Sequence, residues 1–288
     1  MNSNRGFKII LSIVCCIIID ANVIGQAPKK AWVKLFNGRN LDGWNVKIHH
    51  HAYNFNFGNT FRVSAKKIMV SYDQYGKFND QFGHLYYKTP FSYFQLKAEY
   101  RFKDSLQPGA PDYTLLNSGI MYHSQDPATM PKEQDWPISI EFQLLAGLGD
   151  GKPRPTGNMC SPGTDIEYQG KKYLGHCLNS TSPTIDRDEW VKAELIVLGD
   201  SVIQHYINGK MVLEYSHPTM GGGVANRYDP AIWDPGKPLK EGFIALQSEG
   251  QPVEFKNIKI LNLKGCKDPS AKNYKNYVVI NEPKDCQY

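Results

Sequence analysis

The chain has 288 residues, 41% hydrophobic and 21% charged, with a formal net charge of +5. That length is enough to bury a sizeable core. The basic residues are scattered among acidic ones, which excludes a nucleic-acid footprint or an anionic-membrane surface as the organising feature.

At the start of the chain, Arg5 and Lys8 precede an apolar run from Ile9 to Ile19, followed by small or turn-forming residues up to Gln26. This is the pattern of an export signal, so residues 1–25 are expected to be removed and the mature protein to be secreted or periplasmic. The run falls short of the roughly 20 apolar residues that span a bilayer, and no later stretch is long enough, so no transmembrane segment is expected. Cys15 and Cys16 lie in the run, but Val14 occupies the place where a lipid-attachment signal wants a small residue, which argues against lipoprotein anchoring. Loss of Arg5, Lys8 and Asp20 lowers the net charge to +4, a balance compatible with a neutral substrate.

The body of the chain alternates with period two, the mark of half-buried strands. In YFQLKAEYRF, Phe94, Leu96, Ala98, Tyr100 and Phe102 face one way while Gln95, Lys97, Glu99 and Arg101 face the other. Similar runs are predicted at 119–123, 139–145, 190–198, 202–207, 211–215, 242–248 and 253–260. Many strands and few helical patterns imply a sandwich or barrel. Asn208-Gly209 tolerates the positive φ of a tight hairpin turn between two such runs. Residues 221–238, rich in glycine and proline, read as a long loop of the kind that often lines a site. After Leu263 a polar segment bounded by Cys266 and Cys286 is too small for a core of its own. Four cysteines follow the signal, Cys160, Cys177, Cys266 and Cys286, in a compartment where disulfides persist. Three pairings are open to them; the sequence-local one, Cys160 with Cys177 and Cys266 with Cys286, closes two turn-rich segments and is preferred. CxxC spacing for zinc is absent.

Between Trp32 and Leu263 a series of motifs occurs in order: LFNGRNLDGW, GHLYYK with His84, YRF with Arg101, NSGIMYHSQ, IEFQLL, RPTGNMCSPGT, HCLNSTS, INGK and IALQSEG. In that order they resemble the 3-keto-disaccharide hydrolase domain family. The resemblance implies an all-β, concanavalin A-like jelly-roll sandwich of two antiparallel sheets over residues 26–263; the polar segment at 264–288 reads, on its own residues, as a short disulfide-bounded tail. It also implies action on an oligosaccharide or glycoside. One departure stands out: Leu116 precedes the NSG motif where related sequences often carry arginine, and Arg154 is a possible replacement.

Two-carboxylate glucanases on this fold use ExDxxE along one strand face, whereas this chain has Glu141, Gln143 and Ala146. The 3-keto sugar that the resemblance implies as substrate carries a ketone beside a ring proton and makes that proton acidic, so one base would suffice to begin elimination of the glycosidic oxygen, with water adding afterwards. Glu141 is expected to be that base or a metal ligand. His123 and His84 are candidate proton donors or ligands, with a divalent metal a possible partner and Glu141 and His123 its candidate holders. Asn117, Gln125, Gln143, Asn158, Asn179 and Gln247 are candidate sugar-binding amides. Arg101, Arg154, His176 and Glu249 are further candidates, with Trp233 as a stacking surface ahead of Tyr122 and Trp136. His49, His50 and His51 read as a solvated loop and His205 as an outer-strand residue. Competing readings are a lectin-like binding module, a conventional glycosidase with Glu249 as second carboxylate, and an adhesion spacer.

Overall fold

Alternation decides which way each strand faces, and two such faces close on one another here. The computed structural model describes residues 27–288; the expected signal at 1–25, with Cys15 and Cys16, lies outside them. Regular structure among the described residues is strand and short 3-10 turns. A ten-stranded sheet runs in the order Lys171–Lys172, Thr164–Tyr168, Lys210–Met220, Val202–Ile207, Val191–Leu198, Tyr93–Phe102, Val253–Asn262, Lys67–Val70 and Phe61–Ser64, with Val33–Lys34 also paired to Val253–Asn262. A seven-stranded sheet runs Cys177–Leu178, Asn158–Cys160, Ile140–Leu145, Asn117–Ser124, Phe243–Ser248, Gly83–Tyr87 and Trp44–Ile48. Neighbouring strands in both are antiparallel and the order crosses between distant parts of the chain. This is the concanavalin A-like jelly roll that the motif order implied.

The core lies between the sheets. Phe94, Leu96, Ala98, Tyr100 and Phe102 of one sheet meet Ile120, Tyr122, Ile140, Phe142, Leu144, Ile244 and Leu246 of the other. Asn208 and Gly209 take φ of 50° and 83°, the two left-handed residues that a two-residue hairpin needs. His205 is a correction: it is fully buried inside the core instead of decorating an outer strand. Its ring stacks on Phe142 at 4.2 Å and its Nδ1 meets the Gly157 carbonyl at 2.9 Å. Tyr122, one of the stacking candidates, is likewise internal and bonds to Tyr215 and His205.

Both disulfides form as expected. Cys160 and Cys177 face each other across an antiparallel pair, with Cα atoms 4.1 Å apart. Cys266 joins Cys286 and bounds a segment whose Tyr277 and Val278 pack on Ile196, Leu198, Leu261 and Leu263, on the face of the large sheet turned away from the core.

Candidate functional site

With Ile140, Phe142 and Leu144 committed to the core, Glu141 and Gln143 must point to the opposite face of the seven-stranded sheet. Cross-strand pairing then lays down a row: Lys47 opposite His84, His84 opposite Gln247, and Gly119 opposite Gln143, which stands opposite Asn158. Glu141 sits one step along, opposite Met121 and Cys160. Its carboxylate lies over Gly119, where a Cβ would come within 2.5 Å of Glu141 Oε1. A side chain at 119 would therefore displace the carboxylate.

This polar floor is out of water, with Glu141 5%, Glu249 3%, His84 1% and Gln247 1% exposed. Burial pushes the Glu141 carboxyl up to about 8, with Gln247 opposing it slightly. The Glu249 carboxyl is raised well above its ordinary range by burial and by the Glu141 charge, against the pull of Arg154. The Glu141 charge thus acts on Glu249, and two carboxyls this close titrate as a pair. His84 is driven down to about 3 by burial and by Lys47, and is neutral. Lys47, buried, falls to about 8 through desolvation, partly offset by Glu133; its Nζ donates to the carbonyls of Ile48 and Lys132 at 3.2 and 3.3 Å.

Unsatisfied groups gather in the same place. Both nitrogens of His84, both amide atoms of Gln247, Asn117 Oδ1 and Glu249 Oε1 are buried with no partner among the described residues. Gln247 is near enough to influence Glu141 yet makes no well-aligned bond to it. Buried polar atoms are nearly always paired, so a cluster of unpaired ones is arranged for something else to bind. Tyr113 is exposed beside it, and its hydroxyl is raised by partial burial and then by the charges of Glu249, Asp80 and Asp135. A groove of about 860 Å³, lined by Lys34, Lys97 and Lys259 among others, opens on the outer face of the other sheet but contains none of these unpaired atoms. The unpaired cluster is the stronger indication of chemistry.

Glu141, His84, Gln247, Glu249, Asn117 and Gln143 are thus brought together, and several other expected residues are not. His123 is a correction: a register shift between the strands at Phe243 to Ala245 and a φ of 46° turn its ring away, and its Nε2 meets the Gly199 carbonyl at 2.9 Å. Arg101 belongs to the far sheet, where it pairs with Glu254 at 2.6 Å. Gln125 accepts from Gln134 Nε2 and the Ile138 amide, both at 2.8 Å, and clamps a loop. Asn158 donates to Gln143 Oε1 at 3.0 Å and accepts from the Ser180 amide at 2.9 Å, so it braces Gln143. Arg154 donates to the carbonyls of Leu115, Leu116 and Ala146, fixing the approach to Asn117 while its charge acts on Glu249. Leu116 is itself buried at a φ of 50°.

His176 and Asn179 are exposed near the Cys160–Cys177 bond, and those cysteines, being bonded to each other, are not available to a metal. Trp233 stacks on Tyr228 at 4.5 Å over a small cluster of Ile138, Met220, Ala225 and Leu239. Trp136 packs on Phe82. Lys47 was missed by sequence reasoning because a lysine at an alternating strand position reads as solvent-facing.

The family model described as a 3-keto-alpha-glucoside-1,2-lyase-like domain matches residues 31–261. No curated protein matches the chain in sequence. Two solved structures from Parabacteroides distasonis ATCC 8503, each provisionally named a glycosyl hydrolase, align with TM-scores of 0.48. They are 20% and 18% identical, cover 80% and 82% of this chain, and are themselves covered to 98% and 97%. The carbohydrate-binding module CBM66 of Bacillus subtilis aligns over 76% of this chain and 96% of its own, with 12% identity and a TM-score of 0.43.

Proposed function

The chain belongs to the 3-keto-alpha-glucoside-1,2-lyase-like family, and from that premise we propose that it is a secreted enzyme that cleaves 3-keto-glycosides by elimination and hydration. The observation that carries this reading is the buried Glu141–Glu249 pair, set among unpaired amide and imidazole groups. Export rests on residues 1–25 together with two disulfides, which persist in oxidising compartments.

In a 3-keto sugar the proton on C2 is flanked by the ketone and by the anomeric carbon. The two carboxyls titrate as a pair, so one can be ionised while the other stays protonated; Glu141, whose carboxylate lies over Gly119 on the floor, is assigned the base and takes the C2 proton. The electron pair forms an enolate, stabilised by a hydrogen bond from the unpaired Gln247 Nε2. The enolate re-forms the ketone as the C1–O bond breaks, and Glu249, still protonated, gives its proton to the departing oxygen. Water then adds at C1 of the enone; Glu249 accepts its proton and Glu141 returns one to C2. Both carboxyls end as they began.

The same pair favours a second reading, a conventional glycosidase with one nucleophile and one acid. Product release from the keto and ordinary forms of one disaccharide separates them. Cleavage of only the keto form supports elimination; cleavage of the ordinary form supports the glycosidase; binding without cleavage of either refutes both in favour of a lectin-like module.

A further inference from the structure

Just beyond the edge strand Trp44–Ile48, three residues that the glycoside chemistry does not use come together: His49, His50 and Glu133. One ligating atom from each lies within 4.8 Å of the others. His49 is 9% exposed, and its Nδ1 is 2.9 Å from the Asp80 carbonyl. A carbonyl only accepts, so Nδ1 carries the proton and Nε2 is left as a bare lone pair. That Nε2 is buried with no partner among the described residues. A backbone carbonyl fixing one imidazole nitrogen while the other is held ready is how proteins commonly present histidine to a metal.

His50 stacks on His49 at a centroid distance of 3.6 Å and meets Glu133 Oε2 through Nδ1 at 2.8 Å. Its backbone sits at a φ of 69°, a left-handed conformation uncommon outside glycine that tends to be kept where a site requires it. Both His50 and Glu133 are exposed enough to separate by the few tenths of an ångström that an inserted ion demands. Asp135 adds negative charge beside His49. Arg227, 3.8 Å from Glu133, opposes a cation but is itself exposed and able to swing away. Lys47 also acts on Glu133, although its Nζ is held by two carbonyls.

We propose that His49, His50 and Glu133 bind one divalent transition-metal ion. Two imidazoles and a carboxylate suit zinc, cobalt or nickel better than calcium or magnesium. Three protein ligands leave a coordination position open to water or to a sugar oxygen. The site joins the end of one floor strand to the loops carrying Asp80 and Glu133. It stands independently of the glycoside reading.

The test is a titration of the chelator-treated mature chain with Co²⁺, followed by visible absorption and calorimetry. One saturable equivalent is expected, with ligand-field bands that report nitrogen and oxygen donors. Glu133→Gln and His49→Gln are each expected to weaken binding about tenfold or more, while His51→Gln and His217→Gln leave it unchanged. Absence of a saturable equivalent, or one that survives both substitutions, would overturn the site and mark the histidine run as an adventitious trap. Glu133 is 53% exposed, so its variant folds and decides the matter even if His49→Gln does not.

Discussion

Replacing Glu141 by glutamine should make the protein more stable while abolishing turnover. A carboxyl raised from 4.5 to about 8 is mostly protonated in the folded chain at pH 7, leaving about a tenth ionised to act as the base. The unfolded chain releases that proton above its own value, so the stability tied to the protonated group is fully present below pH 4.5 and drains away as pH rises towards 8. At 1.36 kcal/mol per pH unit of separation, the drain at pH 7 is about 3 kcal/mol and approaches about 5 kcal/mol above pH 8. Glutamine keeps the shape and does not titrate. For a domain of this size, about 3 kcal/mol corresponds to a rise in Tm of roughly 6–12 °C at pH 7. Melting curves of both proteins at pH 4, 7 and 9, with keto-disaccharide turnover measured in parallel, read the effect. Curves that differ by the same amount at all three pH values would refute the raised carboxyl, and retained turnover would remove Glu141 from the chemistry.

Glu249→Gln removes the proton donor and should cut turnover about 10²-fold or more, with a smaller loss on substrates whose leaving group needs no protonation. Arg101→Ala should leave turnover within about twofold and cost roughly 1–3 kcal/mol of stability, because its partner Glu254 is on the far sheet; a large activity loss would contradict that placement. His205 is held down to about 4 by burial. It is neutral when folded and protonates on unfolding, so stability is lost as pH falls from about 6.5 to 4. His205→Gln should remove that part of the slope in urea midpoints taken at pH 7 and 4.5. Replacing Cys160 and Cys177 with serine opens a loop of sequence separation 17 and should lower stability by about 3 kcal/mol in the chain-entropy account.

The legibility of the sequence followed the physics of each element. Strands with one dry face were readable because burial enforces alternation, as from Tyr93 to Phe102. The hairpin between Phe61–Ser64 and Lys67–Val70 escaped notice because Ala65 and Lys66, at φ of 49° and 59°, form its turn without glycine or asparagine. Glu141, Gln247 and Glu249 were accessible through their motifs and strand parity. His123 was not, since the irregular pairing beside it breaks the parity on which the argument depended. Lys47 was hidden for the opposite reason: alternation correctly placed it away from the core, but that face is the floor of a second buried region.

The segment closed by Cys266 and Cys286 has a consequence for the sheet beneath it. Its Tyr277 and Val278 cover an apolar stripe formed by Ile196, Leu198, Leu261 and Leu263 on the outside of the large sheet. Without that cover the stripe would be a contiguous apolar patch of the kind that invites association. The Cys266–Cys286 bond holds the cover in place, so reducing it would turn a hidden face of the sheet into an adhesive one.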